Sequence, residues 1–193
     1  MPFDVNSNPV RIAIGAALLV IGLLLGWFGH KAASAPPDVV TTRQYDDWRV
    51  ACPKSTDKGQ SCGMQSEGEL VQIAIFKPKN MTGTQMVLTV PFNVLLEPGI
   101  GLQFTTNAQF SAADKPKLYP FEACNQIGCI VRIPFDDALA QTIAGAKSAR
   151  ILVARLDGKD AALPFSLKGF ADAHHALVVD EGRRHSWWKR LWS

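Results

Sequence analysis

From Trp48 onward, large apolar residues alternate with polar or small ones in short runs. Trp48-Arg49-Val50-Ala51-Cys52 is the first of these. Leu70 to Phe76 is rich in β-branched residues and stops at Lys77-Pro78, Met86 to Val90 stops at Pro91, and Val94-Leu95-Leu96 runs into Glu97-Pro98-Gly99. Gly101 to Thr105, Gly128 to Ile133, Arg150 to Leu156 and Ala162 to Leu167 complete the set. Period-two runs bounded by Pro, Gly and Asn predict about eight short strands, and strands at this spacing predict an all-β, antiparallel β-sandwich. Asp157-Gly158 between two apolar runs predicts a tight hairpin turn. Two short helices are expected beside the strands. Asp136 or Asp137 caps one in which Leu139 and Ile143 share a face, and the other runs from Asp172 to Val178.

The N-terminal pattern is different. Ile12 to Gly29 holds 18 residues without a charge. At about 1.5 Å per residue they reach about 27 Å, close to the thickness of a hydrocarbon core. Residues 12–29 are therefore expected to form one transmembrane helix. Trp27 stands at its interfacial end, and Gly22 and Gly26, four apart, leave room for a partner helix. A cleaved signal peptide is the competing expectation, because Ala32 to Ala35 contains an A-x-A-like site. The length of the apolar run, the intervening His30-Lys31 and the following Pro36 argue against cleavage. The expected layout is a cytoplasmic N-terminus at 1–11, the span at 12–29, and a stiff Pro-containing linker at 30–43. A β-sandwich domain at 44–177 and a Trp/Arg-rich tail at 178–193 follow.

Four cysteines lie in two brackets, Cys52 with Cys62 and Cys124 with Cys129. Four cysteines allow three pairings, of which the two local ones are the simplest. Disulfides persist in an oxidising compartment. Lys/Arg counts on the two sides of the span are nearly tied, so the cysteines decide the orientation: single-pass in a bacterial inner membrane, with the domain in the periplasm.

Charge changes the picture at two points. From Gln44 to Asp172 there are 13 Lys+Arg against 13 Asp+Glu, so the domain is neutral and the net +3 of the chain comes from outside it. No nucleic-acid partner is expected. The tail, by contrast, holds Trp187, Trp188, Arg190, Leu191 and Trp192 together. Tryptophan beside Lys and Arg suits a membrane interface or a protein partner.

No catalytic set emerges. C-x9-C and C-x4-C are not zinc knuckles, and neither bracket is a C-x-x-C redox motif. Ser55-Thr56-Asp57-Lys58 matches S-x-x-K of penicillin-binding enzymes but lacks their companion motifs. Gly99-Ile100-Gly101 is too short for a dinucleotide fingerprint. Adjacent His174 and His175 point apart on a helix and are expected at the surface. Asp46-Asp47 is expected as a solvated turn. A non-enzymatic protein without cofactor, metal or small-molecule substrate is the expectation.

Several of these residues together resemble the invasion-associated locus B family of exported bacterial proteins. The resemblance rests on Trp48 with Cys52, Ser61-Cys62-Gly63-Met64-Gln65, Val90-Pro91-Phe92-Asn93-Val94-Leu95-Leu96 with Gly99, the Cys124 to Cys129 bracket, and Phe165 to Phe170. Asn93 stands where the family pattern has glycine. The resemblance implies an immunoglobulin-like β-sandwich with two disulfides and an envelope or secreted location, and it implies no catalytic residues. Combined with the N-terminal span, it suggests a membrane-anchored accessory or scaffold subunit that meets the lipid bilayer and a membrane-protein partner. The alternative is an exported adhesion or virulence-type factor.

Overall fold

The computed structural model describes residues 18–26, 40–54, 60–68 and 70–185. The chain divides into two units. In the larger, residues 37–181, the described residues form eleven strands in two antiparallel sheets. They are β1 Thr41–Tyr45, β2 Trp48–Cys52, β3 Gly63–Glu67, β4 Gln72–Phe76, β5 Thr84–Val90, β6 Ile100–Thr105, β7 Lys117–Tyr119, β8 Ala123–Cys124, β9 Cys129–Phe135, β10 Ser148–Ala154 and β11 Asp160–Phe165. The seven-stranded sheet runs β1-β2-β3-β4-β5-β9-β8 and the four-stranded sheet β11-β10-β6-β7.

The alternation read from the sequence is what buries the core. Trp48 and Val50 on β2, Ile73 and Ile75 on β4, Met86 and Leu88 on β5, and Val131 and Ile133 on β9 are each at most 2% exposed. They share one core with Ile100 and Leu102 on β6 and Ile151 and Val153 on β10. Each fully buried aliphatic side chain contributes about 1.5–3 kcal/mol, so a one-residue slip in register would turn this whole set to solvent. The other face of the small sheet is covered by the segment after β6. There Gln103 donates to the Asp114 carbonyl, Arg150 Nε donates to Gln103 Oε1 at 2.6 Å, and the Arg150 guanidinium lies 4.0 Å from the Phe110 ring centre.

Among the described residues, two helices accompany the strands: α1, Asp137–Gly145, and α2, Phe170–His185. Asp136 caps α1, its Oδ1 accepting from Leu139 N–H at 2.8 Å. Ile143 is buried and Leu139 packs against the core beside it.

Four differences from the expected layout have physical causes. The linker expected to end at 43 ends earlier, because Thr41 to Tyr45 pairs with β2 as an edge strand; its polar sequence hid it. β3, β7 and β8 also escape notice, being polar or only two to three residues long. Val94-Leu95-Leu96 is not a strand but one isolated bridge, Val94 to Arg155, since positive φ at Asn93 (74°) and Gly99 (68°) breaks the extended run. The last helix starts two residues before the expected Asp172, at Phe170, and runs seven residues past the expected end at Val178. Tertiary partners hold its polar third turn: Asp180, 8% exposed, pairs with Arg43, and Glu181 Oε2 accepts from Cys62 N–H at 2.8 Å.

In the smaller unit residues 18–26 are helical, and all nine are exposed. Among the described residues no helix is long and apolar enough to cross a membrane. Residues 12–17 and 27–29 of the expected span lie outside the described residues.

Candidate functional site

Both local disulfides are formed, Cys52 with Cys62 and Cys124 with Cys129. Each joins neighbouring strands next to a hairpin end: Ala51 pairs with Gly63 one step from the first, and Cys124 pairs directly with Cys129. The first closes the longer loop, ten residues apart against five, and both its sulfurs are in the core. Chain entropy therefore favours it. Cys52→Ser with Cys62→Ser is expected to cost about 2–3 kcal/mol, and Cys124→Ser with Cys129→Ser less. Urea midpoints of the two double variants at unchanged slope check the order.

A polar cleft of about 430 Å³ lies where the β1–β2 turn meets the chain entering α2; Gln44, Asp46, Asp47, Arg49, Gln65, Ser66 and Ser166 line it. The turn is built by Asp46 in the left-handed region, φ 48°, which aspartate tolerates better than most residues. Its groups are tied to one another. Ser166 Oγ donates to Asp47 Oδ2 at 2.6 Å, Lys168 Nζ lies 3.3 Å from Asp46 Oδ1, and Gln44 Nε2 donates to the Asp46 carbonyl at 2.6 Å. Asp47 N–H donates to the Lys168 carbonyl, and Trp48 Nε1 donates to the Ser166 carbonyl at 3.1 Å. The carboxylates thus hold the turn to the α2 entry and do not form a facing acid–base pair. Among the described residues no group of His, Cys, Asp and Glu is placed to hold a metal ion.

His174 corrects the expectation of two surface histidines. His175 is exposed, but His174 is half-buried, stacked on Phe170 with ring centres 5.8 Å apart and edge-on to Phe135 at 5.6 Å. Burial lowers its pKa below the usual 6.5, Asp137 acting in the opposite direction and His175 in the same one. A depressed histidine pKa means that the unfolded chain takes up the proton first. Stability is full above about pH 6.5 and falls as pH drops from there through the folded pKa. His174→Gln should flatten that fall. Urea titrations of both proteins between about pH 8 and about pH 5 check it.

Two of the positions that carry the resemblance have a geometric reason. Asn93 occupies a left-handed position that suits glycine and that asparagine also adopts. Gly128 packs so closely that a Cβ there would strike the Val90 carbonyl. Residues 48–178 match the model of the family described as invasion associated locus B (IalB) protein. The chain belongs to the IalB family. It is also similar to the crystal structure of invasion associated protein B from Bartonella henselae. That match has 20% identity and a TM-score of 0.58, and covers 74% of this chain and 99% of the other. At that identity the likeness speaks for the fold. No curated protein matches the chain.

IalB membership accounts for the domain and leaves both ends aside. Gly22 and Gly26 lie on helical residues with open space where a Cβ would stand. Trp27, Trp187, Trp188, Arg190, Leu191 and Trp192 lie outside the described residues. Sequence reasoning missed the Arg43–Asp180 and Glu181–Cys62 contacts. Their only sequence signal is a pair of acidic residues on a helix whose neighbours are apolar.

Proposed function

We propose that this IalB-family protein is a non-catalytic, membrane-anchored accessory or scaffold subunit, its disulfide-closed sandwich standing on the periplasmic side of a bacterial inner membrane. The observation that carries the reading is the helix at residues 18–26. Leu18, Leu19, Val20, Ile21, Leu23, Leu24 and Leu25 are each more than half exposed, Ile21 at 51% and Leu25 at 68%. A helix apolar on all sides belongs in an apolar medium. Exported disulfides support the side of the membrane, and Gly22 with Gly26 supports helix–helix contact. The immunoglobulin-like assignment of the sandwich, and the membrane or partner role of Trp187, Trp188, Arg190, Leu191 and Trp192, belong to the same proposal.

A second reading has its own support: the family is named for invasion, and Ala32 to Ala35 offers a cleavage site. Gentle solubilisation of native membranes, capture through a tag in residues 36–40 and mass spectrometry separate the two. An intact N-terminus with one stoichiometric set of membrane proteins is the expected result. A chain beginning near Pro36 without partners replaces the anchored subunit with an exported factor.

A further inference from the structure

Three separate loops put large apolar side chains at one end of the sandwich. Phe92 (48% exposed), Leu95 (41%) and Leu96 (53%) follow β5, Leu156 (64%) sits in the β10–β11 turn, and Ile127 (70%) in the β8–β9 turn. Backbone bonds hold them in one neighbourhood. Leu95 N–H donates to the Ala154 carbonyl at 2.8 Å, and Leu156 N–H donates to the Asn93 carbonyl at 3.1 Å. Gly128, next to Ile127, lies against Val90 and Thr89, where β5 ends. We propose that this tip inserts into the interfacial layer of a lipid bilayer and so fixes how the domain lies on the membrane. The inference rests on the anchored reading above.

Three features favour lipid over a protein partner. The side chains are aliphatic apart from one Phe, whereas protein hot spots are rich in Trp, Tyr and Arg and poor in Leu. The tip loops close many of their own backbone groups. Gly99 N–H donates to the Leu96 carbonyl at 3.1 Å, Ile127 N–H donates to Asn125 Oδ1 at 2.8 Å, and Asn125 N–H donates to the Gly128 carbonyl at 2.9 Å. Backbone satisfied in this way enters an apolar layer at low cost. Reach is the third feature. Eleven residues of chain, the number from 30 to 40, can reach at most about 40 Å, about the width of a domain of this size, so tether length does not bar the tip from the bilayer. Glu97 and Asp157 flank the tip, and Arg155 is paired with Asp157 at 3.0 Å. Insertion is therefore apolar and independent of anionic lipid.

The full chain, reconstituted into vesicles of phosphatidylcholine and phosphatidylethanolamine with or without phosphatidylglycerol, tests this. A photo-crosslinking phenylalanine is placed at Phe92, Leu96 or Ile127, with Lys79 at the far end of β4 and β5 as control. Lipid adducts at the three tip sites, few at Lys79, and no change with phosphatidylglycerol or salt are expected. Phe92→Ser with Leu96→Ser, shown to keep both disulfides, should lower adducts at Ile127 by about tenfold or more. Adducts only to protein, equal lipid adducts at all four sites, or none at the tip overturn the proposal. Chain isolated from native membranes whose N-terminal peptide lacks residues 12–29 overturns the anchored reading alone, since tip adducts of the reconstituted full chain are scored separately.

Discussion

Trp48→Ala is expected to lower the unfolding free energy by about 3–5 kcal/mol. Trp48 is 1% exposed, meets Phe170 edge-on with ring centres 5.2 Å apart, and spends its only polar hydrogen on the Ser166 carbonyl. Alanine leaves a void between the large sheet and α2, opens the aromatic cluster that continues to Phe135 and His174, and deprives Ser166 of its donor. Trp48→Phe keeps much of the packing and loses the hydrogen bond, so about 1–2 kcal/mol is expected for it. Urea unfolding of the oxidised protein, followed through the strand signal, measures both. A loss under about 1 kcal/mol for the alanine variant would mean that the cluster repacks and that Trp48 does not key the helix to the sheet.

Gly169→Ala is expected to cost about 2–5 kcal/mol, combining left-handed strain of about 1–2 kcal/mol with overpacking of about 1–3 kcal/mol. Gly169 has φ 83°, and a Cβ there would run into the Tyr45 carbonyl and reach 3.0 Å from Asp46 Cβ. Neither neighbour is a flexible side-chain end, so α2 has to move away from the β1–β2 turn. Gly158→Ala is the control: φ is 76°, but nothing lies within 4 Å of the added carbon, so only the strain of about 1–2 kcal/mol applies. The difference between the two variants isolates the close packing of the helix entry on the turn. Equal losses would show that the seam is loose and that the cleft beside it has no fixed shape.

Much of this protein is legible one residue at a time. Apolar alternation along Trp48–Cys52, Met86–Val90 and Arg150–Leu156 marks core strands because a side chain on a strand has only two directions to point. Asp136 marks a helix start because its carboxylate meets a free N–H. The cysteine brackets make local pairing the simplest of three, because the shortest loops close most readily, and the structure forms that pairing. Other features depend on partners far away in sequence. Thr41–Tyr45 is a strand only because β2 offers an edge, and Val94–Leu96 is not one because Asn93 and Gly99 turn the chain. Asp180 and Glu181 continue α2 because Arg43 and the Cys62 N–H wait across the fold, and His174 is drawn inward by two phenylalanines. The apolar tip is of the same kind: Phe92, Leu96, Ile127 and Leu156 are unremarkable in sequence, and the strand register gathers them. Local chemistry thus determined the core strands, the helix cap and the two cysteine brackets, while the tertiary structure decided which edges pair, which surfaces meet and which stay open, because contact depends on distances that no single segment of chain contains.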